Sequence, residues 1–305
     1  MVVDPLVYVQ GDLVPLNTAT ISVLDHGFLY GDGVFEGISI DAGRIFKLDE
    51  HVDRLFRSAA HMRIVPPLSP VEVRAQIVRV VAVNHLHDGY VRPIVTRGTG
   101  PMGLGATRGI REGNLVIVPQ VRSRLTDEER LDKGLRATVV GVRRTPPECV
   151  DPQVKSTSYA NQILAKLAQW DAGADVAIMM GTDGLVAECA GENLFIVAQG
   201  VLRTPPRHRV LEGITRNTIL ELYAGDARED QISLHDMYAA DEVFITATLV
   251  EVAAITSIDG RTIGSGTAGP ITRQLLVRLR TAIAEEGYQV RYETHDSDLA
   301  SVASR

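Results

Sequence analysis

Pro152-Gln-Val-Lys155-Ser-Thr-Ser-Tyr159-Ala-Asn-Gln162 is followed by Val186-Ala-Glu188-Cys-Ala-Gly191-Glu-Asn193-Leu-Phe195, and then by Leu211-Glu-Gly213-Ile214-Thr215-Arg216. Each stretch sets one chemical group in a suggestive local setting. Lys155 follows Val154 at a predicted strand end, immediately before a predicted helix. An exposed lysine is protonated near neutral pH and is a poor nucleophile, so a reactive one needs burial or a cationic neighbour. By residue type alone Lys155 is an ordinary loop lysine. Its surroundings separate it from Lys47, Lys133 and Lys166, which fall in a strand, at a linker end and on a helix face. Glu188 ends an apolar strand and precedes the small residues Cys189-Ala-Gly191, where a carboxylate can point into a site with little obstruction. A solvated strand-end glutamate is the plain alternative, and Glu192 is a nearby competitor. Gly213 opens a helix, leaving the amides of Ile214 and Thr215 as free donors that, with the helix dipole, suit a phosphate.

A lysine for covalent attachment, a carboxylate to keep a ring nitrogen protonated and helix-end amides for a phosphate are what pyridoxal 5'-phosphate (PLP) chemistry asks of a protein. The order and wording of the three stretches resemble the fold-type-IV, or class IV, PLP-dependent aminotransferases, most closely the branched-chain amino-acid type. The resemblance runs from Tyr8 to about Gly287 and implies the two-lobed α+β fold of that family. It implies Lys155 as the catalytic, cofactor-bearing lysine and Glu188 as the partner of the pyridine nitrogen, with Glu192 structural. It makes Gly213, Ile214 and Thr215 a phosphate cup, closed by Thr248 of Ile245-Thr-Ala-Thr248-Leu-Val-Glu251 and joined by Arg54. Tyr159 would bond the cofactor's ring oxygen. Outside the resemblance, Arg54 is a partner for Glu50 at i,i+4, worth a few tenths of a kcal/mol, and Tyr159 is a core tyrosine.

The run Gly31-Asp-Gly33-Val-Phe-Glu-Gly37 has GxGxxxG spacing and leads into an alternating strand instead of a helix, so it is not a dinucleotide fingerprint. Within the family, His26-Gly-Phe-Leu-Tyr30 through Phe35, Gly37 and Ile38 resembles the substrate-pocket wall, with no catalytic role for His26. Tyr90-Val-Arg92 resembles the branched-chain pattern. It implies Tyr90 and the turn amides of Thr248 and Leu249 as the α-carboxylate site, with Arg92 and Tyr30 meeting glutamate's distal carboxylate. The planar fork of arginine suits that task. D-amino-acid aminotransferases place Arg-x-His after the Thr-Arg-Gly segment, where this chain has Met102 and Leu104. The (R)-amine transaminases tend to carry glutamate at the place of Arg92, and aminodeoxychorismate lyases share only the cofactor motifs. The implied reaction is ping-pong transamination between L-leucine, L-isoleucine or L-valine and 2-oxoglutarate, with those three relatives as alternatives. Two departures stand out. Ser39 lies where branched-chain enzymes often have arginine, and Val121-Arg-Ser-Arg-Leu125 lacks their pocket aromatics, so Arg122 or Arg124 becomes a candidate carboxylate contact.

With 305 residues, 45% of them hydrophobic and 23% charged, the chain reads as an ordinary globular protein large enough for two lobes. A formal charge of −7 offers no basic field to nucleic acid or an anionic membrane. Cys149 and Cys189 have no metal-type spacing, so no metal site is expected. No basic n-region with an apolar stretch opens the chain and no run reaches spanning length, which gives a cytoplasmic expectation without membrane contact. Amino-acid and keto-acid substrates and a homodimer follow from the resemblance. The pattern divides the chain into a smaller domain at 1–119, a polar linker at 120–133 and a larger cofactor-binding domain at 134–305. Expected elements include a hairpin turning at Gly11-Asp12, one strand from Val34 to Ile40, a helix capped by Asp49 and another from Ser69 to about Leu86. Strands at 90–96 and 115–118 follow, then a helix from Tyr159 whose apolar stripe is Ile163, Leu164, Leu167 and Trp170.

Overall fold

Two sheets carry the molecule in the computed structural model, which describes residues 4–121 and 133–292. The first sheet is built on the long strands Gly89–Thr96 and Asn114–Val121, antiparallel over their full length. Leu6–Val9 pairs with Asn114–Val121 and turns back into Asp12–Pro15. That turn falls at Gln10-Gly11, one residue earlier than expected, because both take the positive φ (51° and 110°) that a two-residue hairpin demands. The strand expected over 34–40 is broken into Gly33–Phe35 and Ile38–Asp41, both in one register against Gly89–Thr96. Pro93 is the reason: the Glu36 amide donates to its carbonyl (2.9 Å), but proline has no N–H to return the bond. Asn114–Val121 takes in Gln120 and Val121, placed in the linker by the sequence; Arg122 and Arg124 lie outside the described residues.

Helices Leu48–His61 and Pro70–Val83 cover one face of this sheet. Leu55, Ala59, Val73, Ile77 and Val80 from the helices join Ile38, Val91, Leu115 and Ile117 in one buried core. Asp49 is not a cap. The helix starts at Leu48 behind Lys47, whose φ is 51°, and Asp49 sits in the first turn, where a carboxylate suits the dipole and meets Arg74. Ser69 does cap its helix, in a reciprocal box with Glu72. The helix stops at Val83, short of Leu86, where the Asn84 amide turns back on Val80 O (2.7 Å) and Leu6 O (2.8 Å).

The second sheet runs in the order Val186–Cys189, Val176–Met180, Leu135–Val139, Glu251–Ile258, Glu242–Ala247, Asn193–Ala198, Val201–Thr204 and Ala227–Glu229. Helices Ile214–Leu222 and Pro270–Glu286 pack on it through Ile219, Leu275, Leu279 and Ile283, which meet the stacked pair Phe195 and Phe244. Helix Ala160–Asp171 forms as its periodicity predicts, but its stripe points outward. Ile163, Leu164, Leu167 and Trp170 are 57%, 55%, 45% and 66% exposed. The side against the sheet is Ala165, Ala168 and Gln169, small enough to bring the helix close to Ala177 and Met179. The chain then returns to the first sheet: Tyr288–Gln289 pairs with Arg44–Ile45, and Val290 enters that core.

The two sheets meet at the Lys155 segment. The Phe35 amide donates to Lys155 O (3.0 Å), and the Thr157 amide donates to Gly33 O (2.9 Å). A strand of one sheet therefore sets the backbone of the loop that opens into the other.

Candidate active site

Between the sheets lies an open cleft, whose roughly 930 Å³ of empty space includes its mouth to solvent. Lys155, Glu188, Arg54, Tyr159, Gly213, Ile214, Thr215 and Thr248 all line it. Residues from widely separated stretches of sequence thus converge on one space.

Lys155 is half-buried, its amide held by Ser58 Oγ (3.2 Å) and its Nζ 4.8 Å from the centre of the Phe35 ring. Tyr159 precedes the first turn of helix Ala160–Asp171 and meets Phe35 edge to face. Glu188 is buried, and both its oxygens are engaged. Oε1 accepts from Arg144 Nε (2.7 Å); Oε2 accepts from the Leu211 amide (3.0 Å) and Asn193 Nδ2 (3.3 Å). Burial pushes the Glu188 carboxyl above its ordinary range; the charges of Arg144 and Lys155 and the bonds from Arg144 and Leu211 oppose this without cancelling it. Glu192 also borders the cleft, but its carboxylate lies against Lys166 at 3.6 Å and is only partly buried.

The helix opening at Ile214 has Gly213 as its cap residue and no side-chain cap, so its first-turn amides stay available on the cleft. Glycine is needed there by close approach: a Cβ would lie 2.0 Å from Asn193 Oδ1, the side chain that also holds Glu188. Arg54 reaches the same end of the cleft, with Nη1 on Glu212 O (2.7 Å). It does not pair with Glu50. Its Nε and Nη2 grip the two oxygens of fully buried Glu36 at 2.6 and 2.8 Å, and His51 Nδ1 adds a third bond at 2.8 Å. Burial drives the Glu36 carboxyl upward, but the charge and bonds of Arg54 with those of His51 outweigh it and hold it well below the usual carboxylate range. Burial likewise keeps His51 on the neutral side despite its acidic partner.

This donor set fits PLP on the structure's own terms. The cleft offers one amine, one buried carboxylate and an uncapped helix start, and it is lined by Thr246 and Gln162, whose Oγ1 and Oε1 are buried without a partner. A polar group with no protein partner in a polar cleft is a place for a ligand.

The residues expected at the substrate are joined only in part. Arg92 lies 5.0 Å from the Phe35 ring centre, and its Nε and Nη2 both donate to Tyr90 Oη at 3.1 Å. Gly37 makes room for that tyrosine. Thr248 and Leu249 form the turn between strands Glu242–Ala247 and Glu251–Ile258. Tyr30 engages a different loop, its hydroxyl accepting from the Gly103 amide (2.7 Å), with His26 at its edge. Sequence reasoning missed Arg144, Asn193, Glu36 and His51. Glu36 stands inside the Gly31–Gly37 run, which draws attention only to glycine spacing, and Arg143-Arg144 carries no motif.

Comparison with known proteins gives a consistent picture. Residues 33–258 match the family described as amino-transferase class IV. A branched-chain-amino-acid aminotransferase of Pseudomonas aeruginosa is 38% identical over 280 residues, covering 89% of this chain and 91% of the relative. A D-alanine aminotransferase of Bacillus licheniformis is 33% identical over 281 residues, covering 91% and 96%. Among solved structures, the T.th. branched-chain amino acid aminotransferase complexed with N-(5'-phosphopyridoxyl)-L-glutamate superposes with a TM-score of 0.86 at 33% identity, covering 92% of this chain and 94% of that one.

Proposed function

Because this chain belongs to the class IV aminotransferases, a family of PLP-dependent transferases, we propose that it moves an amino group between a branched-chain L-amino acid and 2-oxoglutarate in two half-reactions sharing one cleft. The observation that carries this is the placing of Lys155 Nζ against Phe35, with the Arg92–Tyr90 pair beside the same ring. A basic amine and a guanidinium suited to a carboxylate then sit against one aromatic ring.

When bound, PLP supplies a carbonyl carbon for the amino group and a ring that accepts electrons from the substrate Cα. Lys155 Nζ takes the Cα proton and gives it back. Glu188, held on both oxygens, stabilises positive charge at the ring nitrogen. The amides of Ile214 and Thr215, with Gly213, Thr248 and Arg54, hold the phosphate and so orient the rest. Tyr159 donates to the ring oxygen. Tyr90 and the amides of Thr248 and Leu249 receive the α-carboxylate, and Arg92 with Tyr30 receives the second carboxylate of glutamate. The glutamate conjugate carried by the solved relative supports that acceptor. Met102 and Leu104, where a D-specific clamp would need arginine and histidine, favour the L-series despite the D-alanine relative.

A cytoplasmic homodimer completes the reading. Among the described residues no helix is long and apolar enough to cross a membrane. The exposed stripe Ile163, Leu164, Leu167 and Trp170 supports a covering surface from a second copy.

Borohydride reduction of the holoenzyme followed by peptide mapping should place the pyridoxyl tag on Lys155, and Lys155→Ala should still bind PLP but not turn over. A donor screen should show L-leucine, L-isoleucine or L-valine working with 2-oxoglutarate. A tag on another amine overturns the site. Activity confined to D-alanine or (R)-1-phenylethylamine, or to lyase chemistry, overturns the substrate.

A further inference from the structure

On the footing of the PLP reading above, we infer that Arg144 is a positioning residue for Glu188, itself aimed by the side chain of Asn161. Two sets of contacts carry this. In the first, Arg144 Nε lies 2.7 Å from Glu188 Oε1, with the two side chains only 11% and 8% exposed and both on the cleft. In the second, Asn161 grips the main chain on either side of Arg144: its Nδ2 donates to Arg143 O (2.9 Å) and its Oδ1 accepts from the Thr145 amide (3.2 Å). The Arg144 amide itself donates to Met180 O (2.9 Å), at the end of the strand beside Val186–Cys189. The arginine is thus tied to the sheet through its own amide and to the helix after Lys155 through its neighbours.

The arrangement has a chemical use. A carboxylate has about four lone-pair sites. Arg144, Leu211 and Asn193 occupy three on Glu188, which leaves one for a donor in the cleft. Lys155 is a second cation acting on this carboxylate and, on the same reading, the residue that reacts. Arg144 is therefore the cation that stays in place to keep Glu188 charged and oriented while Lys155 changes state. A buried ion pair adds little net stability by itself, so its place beside the reacting groups is better explained by geometry and charge control.

The test is a double-mutant cycle read by PLP titration of the apo protein, monitored by absorbance, with thermal melts to confirm folding. Arg144→Gln should weaken PLP binding about tenfold or more, and Arg144→Lys should restore it to within about threefold of wild type. In a Glu188→Gln background the Arg144→Gln change should cost less than about twofold, because the partner is gone. Asn161→Ala should weaken binding by a smaller factor, and that loss too should vanish with Glu188→Gln. It carries the cycle if Arg144→Gln does not fold. Losses that are equal in both backgrounds, or no loss at all, overturn the inference. Failure of the wild-type chain to take up PLP overturns the reading beneath it instead.

Discussion

Gly37 shows how one absent methyl group sets a pocket. A Cβ there would stand 2.2 Å from Tyr90 Oη and 2.8 Å from its ring carbons, so only glycine lets the tyrosine lie across the strand and receive both bonds from Arg92. Gly37→Ala is expected to push the ring off Arg92, raising KM for the amino acid about tenfold, at roughly 1–3 kcal/mol of overpacking cost, with PLP affinity unchanged. An unaltered KM would remove Tyr90 from the substrate side. That Lys155, Glu188 and the helix start at Gly213 belong together was legible in the sequence, because each comes with local wording, and the fold brings them to one cleft. Arg144 and Glu36 did not, since their partners lie 44 and 18 residues away and only the folded chain brings them together.

Elements were legible where a local rule decides them. Ser69 with Glu72 three residues on is a capping box before an apolar run, and the structure contains it. Ser69→Ala is expected to lower stability by about 1 kcal/mol in urea unfolding while leaving activity intact; a change under a few tenths would mean that Pro70 suffices to start the helix. Rules failed where a tertiary fact overrides them. The interruption at Glu36-Gly37 comes from a proline on the opposite strand. The face that helix Ala160–Asp171 buries comes from the need to sit close to a sheet, which alanines meet and leucines do not.

For the molecule as a whole, the buried Glu36–Arg54–His51 cluster ties the first sheet to the end of the cleft where helix Ile214–Leu222 begins, and it makes stability depend on acid. Glu36 is held below its ordinary range when folded, so the folded chain binds fewer protons than the unfolded one as pH falls. Its contribution is present above the unfolded value, about 4.3, and is lost as pH drops toward the folded value. His51, also depressed, acts in the same direction below about 6.5, whereas raised Glu188 acts in the opposite one, its contribution fading as pH rises. Glu36→Gln should cost roughly 3–5 kcal/mol at neutral pH, by stranding Arg54, and should flatten the fall in unfolding free energy between about pH 5 and 3. Parallel curves for variant and wild type would show that the acid sensitivity arises elsewhere. The return of Tyr288–Gln289 to Arg44–Ile45 has its own outcome on the ribosome. The edge formed by Arg44 waits for a partner that emerges some 243 residues later, so the first-made lobe stays open along that border until synthesis of the second is all but finished.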